Sequence, residues 1–277
     1  MGAIRECFEE SGILLAQSRE KPGELLALSD QERENGRHAI HKEEVKFSDW
    51  LQSKGGVPDM GGLHAFTRWL TPTTVSRRRF STQMYLYFLP LTSSSNLPQE
   101  IQTPTSDGGV EHTTAEFLPV SEWLRRSKAG QIILFPPQFF LLSVISPFLA
   151  PAPDAKDTTA LQAQRNNLFD FLKHREDGEP TWADKCISST PVWKVGNKVY
   201  MSLEPAGPEV EGTGRKGDGR RMISWVFREG RPQDLEVSWR EDVMREKQRL
   251  RDESHNLSKE QLESEREQSG RQGKEKL

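Results

Sequence analysis

Cysteine is scarce in this chain: two residues, Cys7 and Cys186, among 277. They are too few and too far apart for a disulfide framework or a metal knuckle, and such usage fits a reducing compartment. No charge sign dominates either. With 38 Lys and Arg against 41 Asp and Glu, the net charge is -3. That gives no case for a general nucleic-acid or membrane-surface binder. Long apolar runs are missing too, so no segment is expected to span a bilayer. The longest, "QFFLLSVISPFLA", is interrupted by Pro147 and is expected to form a buried helix. Gly2 is followed by Glu6 where a myristoylation signal needs Ser or Thr, which excludes that anchor. The terminal "KEKL" is only a distant match to a peroxisomal ending, and there are no internal repeats. The compartment is left open, with cytosol as the default and peroxisome or mitochondrion as alternatives.

What the chain does have is a dense opening, "MGAIRECFEESGILLA". Residues Ala3 to Ser11 are good or neutral helix formers, and Gly12 stands where a helix needs a left-handed stop. "ILLA" then predicts a buried strand. Glu6, Glu9 and Glu10 are related by i, i+3 and i, i+4, so their carboxylates gather on one helix edge. Like charges at that spacing repel by a few tenths of a kcal/mol, roughly, per pair. A hard divalent cation would offset the repulsion, because carboxylate oxygens suit Mg2+ and Mn2+. Arg5, one turn before Glu9, can hold that side chain in place. The alternative is a solvated acidic turn favoured by the helix dipole. An Arg-Glu-x-x-Glu-Glu-x-Gly pattern occurs by chance in about one chain of this length in three thousand, which favours the metal reading.

Arg5, Glu6, Glu9, Glu10, Gly12 and Ile13 resemble the second half of the Nudix box, the metal-binding element of the Nudix hydrolases. The resemblance implies hydrolysis of a nucleoside diphosphate linked to another moiety, with Mg2+ or Mn2+. It implies Glu6, Glu9 and Glu10 as metal ligands, Glu9 and Arg5 as the catalytic pair, and Arg5 as the orienting partner. The glycine and glutamate that open the box, and the strands before it, would lie ahead of Met1. A chain truncated within the box is therefore expected, active if its true start lies upstream and otherwise an inactive Nudix-like binding module.

A narrower resemblance lies downstream. "HAFTRWLTP", "RRRFSTQMYLYFLP" and "GQIILFPPQFFLL" are similar to the subgroup that hydrolyses coenzyme A and acyl-CoA, although Ser81 stands where that subgroup usually has Asp. It implies CoA or acyl-CoA as substrate, a nucleotide sugar or other dinucleoside being the alternative. Nudix hydrolases often add one more acidic residue near the metals. Glu111 has the better spacing for it, Glu116 is the second choice, and His112 is a candidate base. Among Arg77, Arg78 and Arg79, bidentate phosphate bonding is one reading and a charged strand end the other. Arg78 and Arg79 are taken as substrate-binding, and alternation lets at most two of the three share a pocket.

The expected fold is α+β: a Nudix α/β/α sandwich lacking its leading strands, over residues 1–150. Within it, "SDQERENGRHAIHKEEVKFSDWLQSKG" predicts a helical insertion at about 30–70. Ile40, Val45, Phe47, Trp50 and Leu51 form its apolar stripe. "FSTQMYLYFLPL" predicts a central strand. "EWLRRSKA" predicts a helix capped by Ser121 and stopped by Gly130. Residues 151–239 predict a helix with Leu161, Leu168, Phe171 and Leu172 inward. A hairpin turning at Gly196-Asn197 and a further strand pair follow it. The Gly-rich "GTGRKGDG" lacks a phosphate-loop pattern. Residues 240–277 are nearly all charged and predict a solvated helix fraying into disorder.

Overall fold

The computed structural model describes residues 1–72, 78–91, 116–149, 153–154, 157–175, 178–204 and 207–256. The fold is α+β, and its apolar residues gather in two clusters.

The first cluster forms around helix α1, Gly2–Ser11. Ile4 and Phe8, one turn apart, are fully buried. Gly12 ends the helix at φ 73° and its N–H reaches the Phe8 carbonyl at 2.9 Å, the expected left-handed stop. Of "ILLA" only Ala16 lies in a strand: β1 covers Ala16–Ser18 and pairs antiparallel with β2, Gly56–Pro58. The insertion supplies two helices, α2 (Asp30–His41) and α3 (Phe47–Ser53). Ser29 and Glu32 form a capping box at the start of α2. Phe8 stacks on Trp50 with ring centroids 4.9 Å apart. Gly36 makes that packing possible: a Cβ there would fall 2.3 Å from the Trp50 ring.

Helical structure in the insertion ends at Ser53, short of the expected residue 70. Leu63–Leu70 forms a strand, β3. It is the middle strand of a three-stranded sheet, antiparallel to β4 (Ser81–Tyr87) and parallel to β5 (Cys186–Ile187). The strand expected to be central, β4, lies at the edge instead. Its apolar residues serve different neighbours: Met84 and Leu86 pack on the second cluster, Tyr87 on the first, and Tyr85 is exposed.

The second cluster joins Phe66 and Trp69 of β3 to Phe139, Phe140, Leu168, Trp182, Ile187 and Ile223, and so draws on residues from both sides of position 150. Helix α4 (Val120–Lys128) starts after Pro119 with no side-chain cap, so Ser121 is not the N-cap. Its stop at Gly130, φ 69°, is as expected. The apolar run forms α5, Pro136–Ile145, with Pro136 and Pro137 in the first turn where no amide partner is lost. Helix α6, Thr158–Lys173, buries Leu168 and Leu172. A four-stranded antiparallel meander follows: β6 (Thr190–Val195), β7 (Lys198–Leu203), β8 (Asp218–Arg228) and β9 (Arg231–Trp239). Its first turn falls at Gly196-Asn197. Glu229 and Gly230, both at positive φ, make the two-residue turn between β8 and β9. Residues 240–256 are helical. No helix among the described residues is long and apolar enough to cross a membrane.

Candidate metal helix and basic cleft

With Ile4 and Phe8 turned into the core, the 100° step of a helix carries Glu6, Glu9 and Glu10 to the other side of α1. Arg5 Nη1 donates to both carboxylate oxygens of Glu9 at 3.0 Å, and its Nη2 lies 3.5 Å from Glu6. The expected Arg5–Glu9 pair is therefore formed. Glu9 is the more enclosed carboxylate, 14% exposed against 61% for Glu6. Among the described residues no three His, Cys, Asp or Glu side chains converge on one metal position. Glu111, His112 and Arg77 lie outside the described residues. Glu116, the second choice for the extra acid, bonds Arg126 on α4 at 3.1 Å.

The C-terminal end of α1 is gripped by α2. Arg37 is buried, and it donates through Nε and Nη2 to the Glu9 carbonyl at 3.2 and 2.9 Å and through Nη2 to the Glu10 carbonyl at 3.1 Å. Arg33, one turn earlier and also buried, reaches the Gly12 carbonyl at 3.5 Å and pairs with Asp30. Helix C-termini carry unsatisfied carbonyls and about half a negative charge, so two guanidiniums there hold α1 at the end that presents Glu9 and Glu10. Sequence reasoning passed over both arginines. The available signal was their i, i+4 spacing across Gly36 in "RENGR". Burial pushes the thiol pKa of Cys7, on the same helix, up against the bond with Ser11, and Glu10 adds to the rise, which disfavours the thiolate.

The predicted substrate arginines sit elsewhere. Leu63 faces Tyr87 at one end of the β3–β4 ladder, and both pack against the cluster that holds Ile4 and Phe8. Leu70 faces Ser81 at the other end, next to Arg78 and Arg79. Seven residues of strand, about 20 Å, separate the two ends. Arg79 lines a cleft there. Its Nη1 pairs with Glu209 at 2.6 Å and its Nε donates to the Thr71 carbonyl at 2.7 Å. Arg78 instead lies over the Phe80 ring, 5.3 Å from its centroid. The structure thus brings Arg5, Glu6, Glu9 and Glu10 together on one helix and places Arg78 and Arg79 apart from them.

Residues 1–145 match the NUDT19 Nudix domain, and the chain belongs to that family of Nudix proteins. Such proteins generally use divalent metal ions. The chain is 30% identical over 156 residues to the acyl-coenzyme A diphosphatase NUDT19 of Xenopus laevis, covering 53% of this chain and 38% of that protein. To the protein of the same name from Gallus gallus it is 35% identical over 159 residues, covering 50% and 38%. The chain thus spans 38% of the length of these curated relatives. Among solved structures, a NUDIX hydrolase from Alicyclobacillus acidocaldarius matches with a TM-score of 0.39 and 26% identity, covering 50% of this chain and 57% of that one.

Proposed function

We propose that the chain acts in metal-dependent hydrolysis of the pyrophosphate in CoA or an acyl-CoA, giving a phosphopantetheine half and an adenosine bisphosphate half. The observation that carries this is the Arg5–Glu9 pair on a helix fixed at both its buried face and its C-terminal end, in a chain of this family. The donors fit a hard divalent ion, Mg2+ or Mn2+, since all are carboxylate oxygens. Mg2+ commonly takes only one or two protein carboxylates and fills its remaining positions with water and substrate phosphates. An open helix edge suits that mode. Glu6, Glu9 and Glu10 would hold the ion, with Glu111 as the further candidate. Bound there, it would neutralise phosphate oxygens and acidify water.

The protein's own groups do the rest. Arg5 fixes the Glu9 carboxylate so that it does not swing into solvent. Arg37 keeps the last turn of α1 wound while charge accumulates on the substrate. One of the glutamates accepts the proton of the attacking water, the service a carboxylate base typically supplies. The test compares wild type with Glu9→Gln on CoA and on ADP-ribose, with Mg2+ present and products separated by chromatography. The wild type is expected to prefer CoA, and Glu9→Gln to be at least about 100-fold slower. Equal rates for the two proteins would remove Glu9 from the mechanism.

A second reading is a Nudix-like binding module. It is favoured by the lack of three convergent ligands among the described residues. Manganese titration by electron paramagnetic resonance separates the two. The hydrolase reading requires Mn2+ binding that weakens in Glu9→Gln, and the module reading requires none.

A further inference from the structure

The cleft at the far end of the β3–β4 ladder has a volume of about 460 Å3 and is lined by Arg68, Arg79, Phe80, Glu209, Thr213 and Arg215, among others. Three guanidiniums meet one carboxylate there. Glu209 is committed to Arg79, which is also held by the Thr71 carbonyl and, at 3.4 Å, by the Ser188 hydroxyl. Arg79 is therefore part of the wall. Arg68 donates to the Ser81 hydroxyl at 3.4 Å, and no carboxylate among the described residues pairs with Arg68 or Arg215. Arg68 stands opposite Cys186 in the β3–β5 register, and burial pushes the Cys186 thiol up while Arg68 and Arg215 oppose the rise and Glu209 adds to it. Arg68 and Arg215 thus line one cleft whose carboxylate, Glu209, is already paired with Arg79.

The wall that brings Arg215 in is anchored at both ends. A Cβ on Gly207 would fall 2.4 Å from both Arg79 Nη2 and Glu209 Oε2, and one on Gly217 would fall 1.8 Å from the Leu203 carbonyl oxygen. At Gly217, where the neighbour is backbone, only glycine permits the approach. The Cys186 amide bonds the Lys216 carbonyl at 2.8 Å, next to Arg215. Beside these cations Phe80 is 58% exposed, with Arg78 over its ring, so part of an aromatic surface is open at the rim of the cleft.

We propose that this cleft is a second phosphate-binding site, which takes a nucleotide with its phosphate between Arg68 and Arg215 and its base against Phe80. Guanidiniums are suited to phosphate oxygens through paired hydrogen bonds, and an aromatic face accepts any base. About 20 Å of strand separates the cleft from the ladder end packed against the α1 cluster. The site therefore stands or falls independently of hydrolysis at α1.

Isothermal titration calorimetry on the full chain, in EDTA to keep divalent ions from α1, provides the test. The titrants are adenosine 3′,5′-bisphosphate, inorganic phosphate and adenosine. The bisphosphate is expected to bind, and to bind more weakly as salt rises. Arg68→Gln/Arg215→Gln should weaken it at least about 10-fold, whereas Arg249→Gln, on the exposed helix 240–256, should not. Arg215→Gln alone changes an exposed loop residue and keeps the test decisive if the double variant fails to fold. Phe80→Leu should weaken the bisphosphate and spare inorganic phosphate. Unchanged affinity in the arginine variants, or no binding at millimolar bisphosphate, would overturn the site. Equal affinity for inorganic phosphate and the bisphosphate would overturn the nucleotide assignment.

Discussion

The two clusters both bury a cation, and they neutralise it in different ways. In the first, Arg37 is 5% exposed and divides its donors between the main-chain carbonyls of Glu9 and Glu10 and the half-exposed carboxylate of Glu34, 2.8 Å away. In the second, Lys185 is 2% exposed and bonds the carboxylates of Glu179 and Asp218 at 3.0 and 3.2 Å, with its Nζ 4.5 Å from the Trp182 ring centroid. Carbonyls at a helix end offer partial charge spread over a turn, whereas a carboxylate offers a whole charge at a point. The first arrangement orients a helix through its main chain and not through that helix's own carboxylates. The second clamps segments together: Asp218 opens β8, directly after Gly217, and Lys185 precedes β5. One cluster steadies the candidate metal helix and the other steadies the floor of the basic cleft.

The contrast is broken most severely at Lys185. Lys185→Met leaves Glu179 without its cation and Asp218 dependent on Arg221, 3.0 Å away. Removing one partner of a buried pair costs about 3–5 kcal/mol, read as a fall in denaturant midpoint with little change in slope. The clamp also has a pH signature. Burial works to raise the Asp218 carboxyl, but Lys185, Arg221 and the backbone amides of Arg220 and Arg221 outweigh it, so the folded value lies below the ordinary 3.8. A carboxylate lowered by folding stabilises the protein fully above its unfolded value and loses that contribution as pH falls through its folded one. The stability difference between wild type and Asp218→Asn is therefore expected to be constant near neutrality and to shrink below pH 3.8.

Arg37→Met should cost less, about 2–3 kcal/mol, because charge-assisted hydrogen bonds to carbonyls are lost without stranding an opposite charge in the core. The sharper readout is local. Amide hydrogen exchange should accelerate across Gly2–Ser11 before it changes in β8, and Mn2+ affinity should fall with it. Uniform acceleration in both elements would mean that Arg37 supports the whole protein and not α1 in particular.

These two cations also mark where sequence reasoning succeeds and fails. Arg5 and Glu9 were legible because partners four residues apart on a helix meet by geometry alone. The Gly12 stop and the Gly196-Asn197 turn were legible for the same reason, since each depends on its own backbone conformation. Arg37 was not, because its acceptors are main-chain carbonyls of Glu9 and Glu10, which any residue provides. Nor was the Arg79–Glu209 pair, which joins residues from distant parts of the chain. β3 was hidden by composition: "LHAFTRWL" mixes polar and aromatic residues between glycine and proline clusters. It is a strand because β4 and β5 pair with it on both sides. Local chemistry thus exposed the acidic helix, while the basic cleft, assembled from three separate segments, needed the fold.

The smallest effect is expected at Gly12, the residue that ends α1 where Arg37 and Arg33 take over its carbonyls. At φ 73° an alanine would pay the left-handed penalty, about 1 kcal/mol, without losing the bond from residue 12 to the Phe8 carbonyl. If the arginines hold the helix end as argued, Gly12→Ala lowers stability by that amount and leaves Mn2+ affinity nearly unchanged. Combined with Arg37→Met, its cost should exceed the sum of the two, since the same last turn would lose both its stop and its cationic grip. Strict additivity in that double variant would mean that the glycine and the arginine act on separate parts of the structure, and the account of how α1 is held would fail.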